Sequence, residues 1–265
     1  MRWHSRVETM IELERSAAAH WRGTQEQWLG EWLLRAADGF TGRANSALAL
    51  GDPGVPLDAA LDYVTGWYRA RGLPAMIAVP LPLAADAQDE LDAELTDRAW
   101  ATRPGPAFVM VADLPLAVAD LPLAATGSGL PAGAEVAAEA DPDAAWLARY
   151  HYRGTDTQPP VMREVLTSAQ DQAFISIRTE SEVLAIARLS IADGWAGLTA
   201  VEVNPDHRRA GLGRAITAAA CAEAARRDVG RVFLQVEVGN AAARALYERC
   251  GFRYSHRYHY RMAPG

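Results

Sequence analysis

Cysteine is scarce, long apolar runs are missing, and basic residues are outnumbered. Two cysteines, Cys221 and Cys250, stand among 265 residues. They are too few for a disulfide framework, so both are expected as small buried thiols in a reducing cytoplasm. No apolar stretch approaches the ~20 residues that a helix needs to cross a bilayer. The start, Met1-Arg2-Trp3-His4-Ser5-Arg6, has no apolar signal core. A soluble protein with no membrane partner is the expectation. The net charge of −7 leaves no basic footprint for nucleic acid and suits a small or cationic acceptor. No cluster has metal-ligand spacing, so no metal is expected. Half of the residues are hydrophobic and 22% are charged, as in a packed globular chain. The length suits two domains at ~100–200 residues each, as a monomer or homodimer.

The richest stretch runs from Val201 to Phe252. Trp195 to Val203 reads as a strand stopped by Asn204-Pro205, because proline cannot donate to a ladder. A loop with two arginines and two close glycines follows, Arg208-Arg209-Ala210-Gly211-Leu212-Gly213. Arg214 to Arg227 is alanine-rich, with neither proline nor glycine, and predicts a helix that Gly230 closes. Val232 to Val238 predicts a second strand. Asn240 predicts the N-cap of a helix through Glu248 and Arg249, and Cys250-Gly251-Phe252 turns into a final strand. Glycines in such a loop let backbone N–H groups crowd around an anion, and the helix N-terminus adds its dipole. With arginines alongside, the nest suits a pyrophosphate. No Lys-Ser/Thr follows the glycines, and the third glycine of the dinucleotide fingerprint is absent.

Asn240 and Tyr247 stand seven residues apart, on roughly one helix face. Together these segments resemble the GCN5-related N-acetyltransferase family. Its Arg/Gln-x-x-Gly-x-Gly/Ala motif matches Arg208, Gly211 and Gly213. Its Asn-x-x-Ala-x-x-Leu-Tyr-x-x-x-Gly-Phe motif matches Asn240, Ala243, Leu246, Tyr247, Gly251 and Phe252. The resemblance covers roughly residues 134–262.

The first half predicts a helix from Thr9 to Ala19, with Thr9 as N-cap and Glu12 as its capping-box partner. An apolar segment from Trp28 to Arg35 leads into the turn Asp38-Gly39, and Phe40 to Leu50 reads as an extended return strand. After the loop Gly51 to Pro56 come a helix from Asp58 to Arg71, closed by Gly72, and a strand from Ala75 to Val79. A helix from Asp86 to Trp100 and a strand at Phe108 to Val111 complete it. This strand–helix order repeats that of the second half, so an internal duplication is expected, with an unrelated α/β cap as the alternative. The first half has neither motif and is expected to have no acetyl-CoA site. The fold class is therefore α/β (α+β), with two acetyltransferase-like domains in tandem. Each has a mixed, mostly antiparallel sheet flanked by helices. The expected boundaries are 1–115, a linker at 116–140 rich in Ala, Pro, Leu and Gly, and 141–265. Within the last, Asp143 to Tyr150 and Pro160 to Thr167 predict short helices. Phe174 to Arg178 and Val183 to Ile191 predict a hairpin. The resemblance implies that this region covers the acceptor site; here it carries His151, Tyr152, Arg153, Asp156 and Arg163, most of which read as surface polar residues.

The resemblance implies acetyl-CoA as donor. Arg208, Arg209, Ala210, Gly211, Leu212, Gly213 and Arg214 would hold its pyrophosphate. Val201 and Val203 would bond its pantetheine arm, and Asn240 and Ala243 would also contact the cofactor. Tyr247 would be the general acid, since a phenol of ordinary pKa ~10 is protonated at neutral pH. Some relatives carry a glutamate base five residues before the motif asparagine, but here that place holds Gln235. Glu202 and Glu237 are the substitutes, and Glu237 shares a strand face with Gln235. A water relay, His256 or His259 are further options. Arg43 and Asn45 would face the catalytic half and hold an acceptor carboxylate. The function expected is acetyl transfer to the primary amine of a small molecule, an amino acid such as glutamate foremost. A mycothiol-synthase-like acceptor, a peptide or protein N-terminus, and a non-catalytic acyl-CoA sensor are the alternatives.

Overall fold

The computed structural model describes residues 3–84, 89–114, 130–151 and 158–264. Helix α1 spans Trp3–His20, so Thr9 lies inside it and is not its cap. β1 (Gln25–Leu29) and β2 (Trp32–Ala36) form a hairpin where a single apolar segment was expected. The expected strand over residues 40–50 shrinks to β3, Ala47–Leu48, because Arg43–Asn45 winds into one 3-10 turn.

α2 (Leu57–Arg69) and β4 (Met76–Leu81) follow. α3 covers only Glu90–Asp97: the Asp89 carboxylate caps it by accepting from Asp92 N–H, and Ala99 turns to φ 59° just beyond its end. Asp86, the expected start, lies outside the described residues. Then come β5 (Ala101–Thr102) and β6 (Ala107–Asp113). Residues 115–129 of the expected linker region also lie outside the described residues. The rest corrects the expectation, since Glu135–Glu139 is a strand, β7, on the edge of the second half's sheet. It pairs antiparallel with β8 (Asp171–Arg178), after the short helices α4 (Ala144–Arg149) and α5 (Val161–Leu166). The chain closes with β9 (Val183–Ala192), β10 (Trp195–Val203), α6 (Leu212–Arg226), β11 (Arg231–Glu237), α7 (Ala241–Arg249) and β12 (Arg253–Met262).

The twelve strands of the described residues lie in one sheet, ordered β1-β2-β3-β4-β12-β6-β11-β10-β9-β8-β7, with β5 beside β12. Among these pairs β3–β4 and β10–β11 are parallel and the rest antiparallel. The mixed, mostly antiparallel α/β class expected from sequence is thus the one observed. The halves are joined by exchange. β12, from the second half, pairs with β4 of the first, while β6, from the first, pairs with β11 of the second. β6 and β12 then pair with each other at the centre.

Helices α6 and α7 cover one face of the second half's strands. Ala215, Ala219, Ala220 and Ala224 of α6 are buried there against Ala187, Leu189, Leu198 and Leu234; side chains this small let the helix pack close to the sheet. The opposite face carries α1, α4 and α5. Leu13 of α1 is buried with Val109, Phe233 and Tyr258, which come from both exchanged strands and β11. One residue on, Glu14 lies 2.7 Å from His256 Nε2, fastening α1 to β12. No helix among the described residues is long and apolar enough to cross a membrane.

Candidate active site

β10 and β11 are paired in register only from Ala196 to Leu198 and Val232 to Leu234. Beyond Leu198 a bulge interrupts β10 between Thr199 and Glu202, with Ala200 at φ 51°. Bulges bend the strand that carries them. β11 stays paired with β6 along its whole length, from Arg231 through Glu237, while its pairing with β10 ends at Leu234, so Val201 and Val203 keep an edge without a strand partner on the β11 side. A parallel pair that parts in this way leaves a cleft between its strands.

At the end of β10 the loop Arg208–Gly213 enters α6. Gly211 stands at φ +79°, and nothing lies within 4 Å of where a Cβ would be. Arg209 is also at positive φ, 65°. Among the described residues, the N–H groups from Arg209 to Gly213 have no acceptor, and the first bonded donor is Arg214 to Gly211 O. The corresponding loop of the first half is filled from within. There Glu31 Oε2 accepts from Asp52 N–H at 2.8 Å, and Asp52 Oδ1 accepts from Gly54 N–H at 2.8 Å. One loop can receive a pyrophosphate, and the other already holds carboxylates.

Asn240 caps α7 as expected, its Oδ1 accepting from Ala243 N–H at 3.1 Å. That bond commits the side-chain oxygen and leaves the amide nitrogen for a cofactor arm. Tyr247, buried on α7, packs edge-on against Phe252 with centroids 5.8 Å apart. Burial first, then Cys250 and Cys221, raise its pKa well above the ordinary phenol value.

On the opposite face a cavity of about 170 Å³ is lined by Arg43, Ala107, Gln235, Glu237, Tyr258 and Tyr260. Both halves contribute to it. Arg43 Nη1 donates to Gln235 Oε1 at 2.8 Å, and its guanidinium lies 4.6 Å from the Trp21 ring centroid. Arg188 lies 5.3 Å from the same centroid. It is fully buried and, among the described residues, bonds only neutral groups, the carbonyls of Leu166 and His20, Gln172 Oε1 and Thr199 Oγ1. Burial, and after it Arg43, lower its pKa to about 9.

Asn45 does not join this site. Its Oδ1 accepts from the N–H groups of Ala37 and Gly39, and its Nδ2 donates to Phe40 O and Thr41 O. The side chain is consumed in holding the loop that presents Arg43, so the expected contact with an acceptor is corrected. His256 and His259 are likewise engaged elsewhere, with Glu14 and with Asp92 of α3.

Glu202 faces the same side of the sheet as Gln235 and Glu237, opposite Ile186 of β9. It is not a lone carboxylate. Oε2 accepts from His151 N–H at 2.9 Å, and Oε1 lies 2.7 Å from His151 Nδ1.

A family profile described as "Probable histone acetyltransferase Rv0428c C-terminal" matches residues 9–261. The chain belongs to this family of GCN5-related N-acetyltransferases. Its relatives include the "Probable histone acetyltransferase Rv0428c" of Mycobacterium tuberculosis, 28% identical across 98% of this chain and 75% of that protein. The "Uncharacterized N-acetyltransferase YobR" of Bacillus subtilis is 26% identical across 97% of this chain and 99% of its own length. The solved structure of a "Tandem GNAT protein from the clavulanic acid biosynthesis pathway (without AcCoA)" superposes with a TM-score of 0.66. Its 15% identity, over 83% of this chain and 76% of that one, speaks for the fold alone.

The chain is thus an acetyltransferase of the tandem type, in a family whose members use acetyl-CoA. Several residues of this acetyltransferase's cleft escaped the sequence. Tyr258 and Tyr260 of the cavity lining, and Trp21 and Arg188 behind Arg43, belong to no motif and come together through long-range packing. A hint existed for Arg188, a charged residue on a strand, Val183 to Ala192, that is otherwise apolar except for Ser190.

Proposed function

We propose that this acetyltransferase moves the acetyl group of acetyl-CoA to the primary amine of a small molecule that also carries a carboxylate. An amino acid such as glutamate is the favoured acceptor. The observation that carries the donor assignment is the row of unspent N–H groups from Arg209 to Gly213, beside Arg208 and Arg214 at the N-terminus of a long helix. Such a nest suits a pyrophosphate. When bound, acetyl-CoA supplies a thioester carbonyl open to attack. Val201 and Val203 offer an unpaired strand edge to its arm, with the Asn240 side chain and Ala243 alongside. Tyr247, kept protonated by burial, gives its proton to the leaving sulfur.

The acceptor reading rests on charge. Among the described residues no carboxylate lies within ion-pair distance of Arg43 or Arg188, whose side-chain partners are neutral. An amino acid brings a carboxylate for the guanidinium, and an Arg fork binds a carboxylate well.

The test follows thiol release from acetyl-CoA with amino acids, polyamines, aminoglycosides and amino-sugar thiols as acceptors. Acceleration by carboxylate-bearing amines supports the reading. Acceleration only by amines without a carboxylate ends the amino-acid assignment. Failure to bind acetyl-CoA ends the assignment of the Arg208–Arg214 loop.

A further inference from the structure

We propose that the first half carries a second binding site, a slot between β3 and β4 that takes an amine on an apolar body; it stands apart from the acetyl-transfer reading above. β3 and β4 run parallel but pair only at Ala47 with Ile77 and Leu48 with Ala78. β3 ends there, while β4 continues along β12 to Leu81. The parallel pair of the first half thus parts as β10 and β11 do in the second. The cavity left between its strands measures about 750 Å³, a size that holds a small molecule.

The slot is lined from both faces of the sheet. Trp32, Leu57, Val79 and Leu91 line it on the side of α2 and α3, where they share one core. Ile11 and Leu50 line it on the side of α1 and belong to another core. Successive strand residues point to opposite faces, so Val79 and Pro80 together form a wall through the sheet. Trp32 Nε1 is spent on Gly51 O at 3.1 Å, which leaves the indole as apolar surface.

Charge decides which ligand fits. The anion loop of this half is filled by Glu31 and Asp52, so a phosphate is turned away. On the α3 side Asp89, Glu90 and Glu94 line the slot. Glu94 pairs with Arg98. Asp89 accepts from Asp92 N–H and, like Glu90, has no cation partner among the described residues. Burial, with Asp92 and Glu90 nearby, raises the Asp89 pKa. An ammonium supplies the opposite charge to this pair while its apolar body fills the slot; a carboxylate there is repelled.

The test is calorimetry on the full chain with tryptamine, tryptophol and indole-3-acetate, one apolar body carrying an ammonium, a hydroxyl or a carboxylate. Tryptamine is expected to bind most tightly and indole-3-acetate most weakly. Asp89→Asn with Glu90→Gln keeps the α3 cap, since Asn caps well, and removes both charges. Tryptamine affinity is expected to fall about 10-fold in that double variant, with tryptophol affinity unmoved. Leu50→Trp fills the slot and is expected to abolish the binding of both. An unchanged thermal melt shows that a variant folds, and the double variant decides alone if Leu50→Trp does not. Four results overturn the proposal: no tryptamine binding, equal affinity for all three probes, binding that survives in a folded Leu50→Trp, or the tenfold loss appearing in Glu237→Gln of the other cavity instead. None of them touches acetyl transfer, which thiol release tests separately.

Discussion

Arg43 of the first half donates to Gln235 of the second, Nη1 to Oε1 at 2.8 Å, so each half places a polar group in one cavity. A charge-assisted bond from Arg43 to an acceptor carboxylate is worth about 1.5–3 kcal/mol. Arg43→Ala is therefore expected to raise KM for a carboxylate-bearing acceptor about 10- to 100-fold with kcat little changed. Gln235→Glu would pair with Arg43 and withdraw it from the acceptor, raising KM in the same direction. Steady-state kinetics on both variants check this, and equal KM values with and without Arg43 would exclude the carboxylate contact.

Tyr247 offers a separate handle. Its burial holds the phenol protonated through neutral and moderately alkaline pH, so its ionisation contributes no fall in rate below pH 10. Tyr247→Phe keeps the packing on Phe252 and removes only the proton. A fall in kcat of about 10²-fold, with acetyl-CoA affinity unchanged, is the expected outcome by rapid kinetics and calorimetry.

The glycine loop predicts a graded pair. Gly211 sits at φ +79°, where an L side chain costs about 1–2 kcal/mol, and the loop must deform to relieve it. Gly211→Ala is expected to weaken acetyl-CoA binding measurably in calorimetry. At Gly213 a Cβ would meet the Leu246 Cδ2 methyl at 3.0 Å, the end of a flexible side chain. Gly213→Ala is expected to weaken binding less. The reverse order would mean that helix packing, not loop conformation, governs the site.

Much of this site was legible because its signals are local. The Arg208–Gly213 loop, the Asn240 cap and the helix carrying Tyr247 each depend on residues within one or two turns, so spacing alone locates them. The exchange of β6 and β12 left no such trace. Phe108 to Val111 reads as a strand from its pattern, but which strand it pairs with is decided hundreds of atoms away. Asn45 misled for a related reason: an amide in a polar loop looks available until its five local bonds are seen. The His151–Glu202 pair joins residues 51 apart in sequence, and neither carries a motif.

His20 ends α1 inside the protein, 1% exposed, with Nδ1 hydrogen-bonded to Ser190 Oγ at 2.9 Å and the ring edge-on to Phe233. Its Nε2 is buried without a hydrogen-bond partner among the described residues. Gly197 of β10 makes room for it, since a Cβ there would stand 2.7 Å from His20 Nδ1. Burial, and then the charge of Arg188, lower its pKa from 6.5 to about 4. The native state thus refuses a proton that the unfolded chain accepts. The stability this neutral ring contributes is fully present above pH 6.5 and is lost as pH falls toward 4, an amount of about 3 kcal/mol. His20→Gln can still bond Ser190 but cannot take up a proton when unfolded. Denaturant melts at pH 7 and pH 4.5 are expected to show a smaller acid-induced loss in the variant than in the wild type. An equal loss in both would assign the acid sensitivity to other groups and leave His20 a packing residue alone.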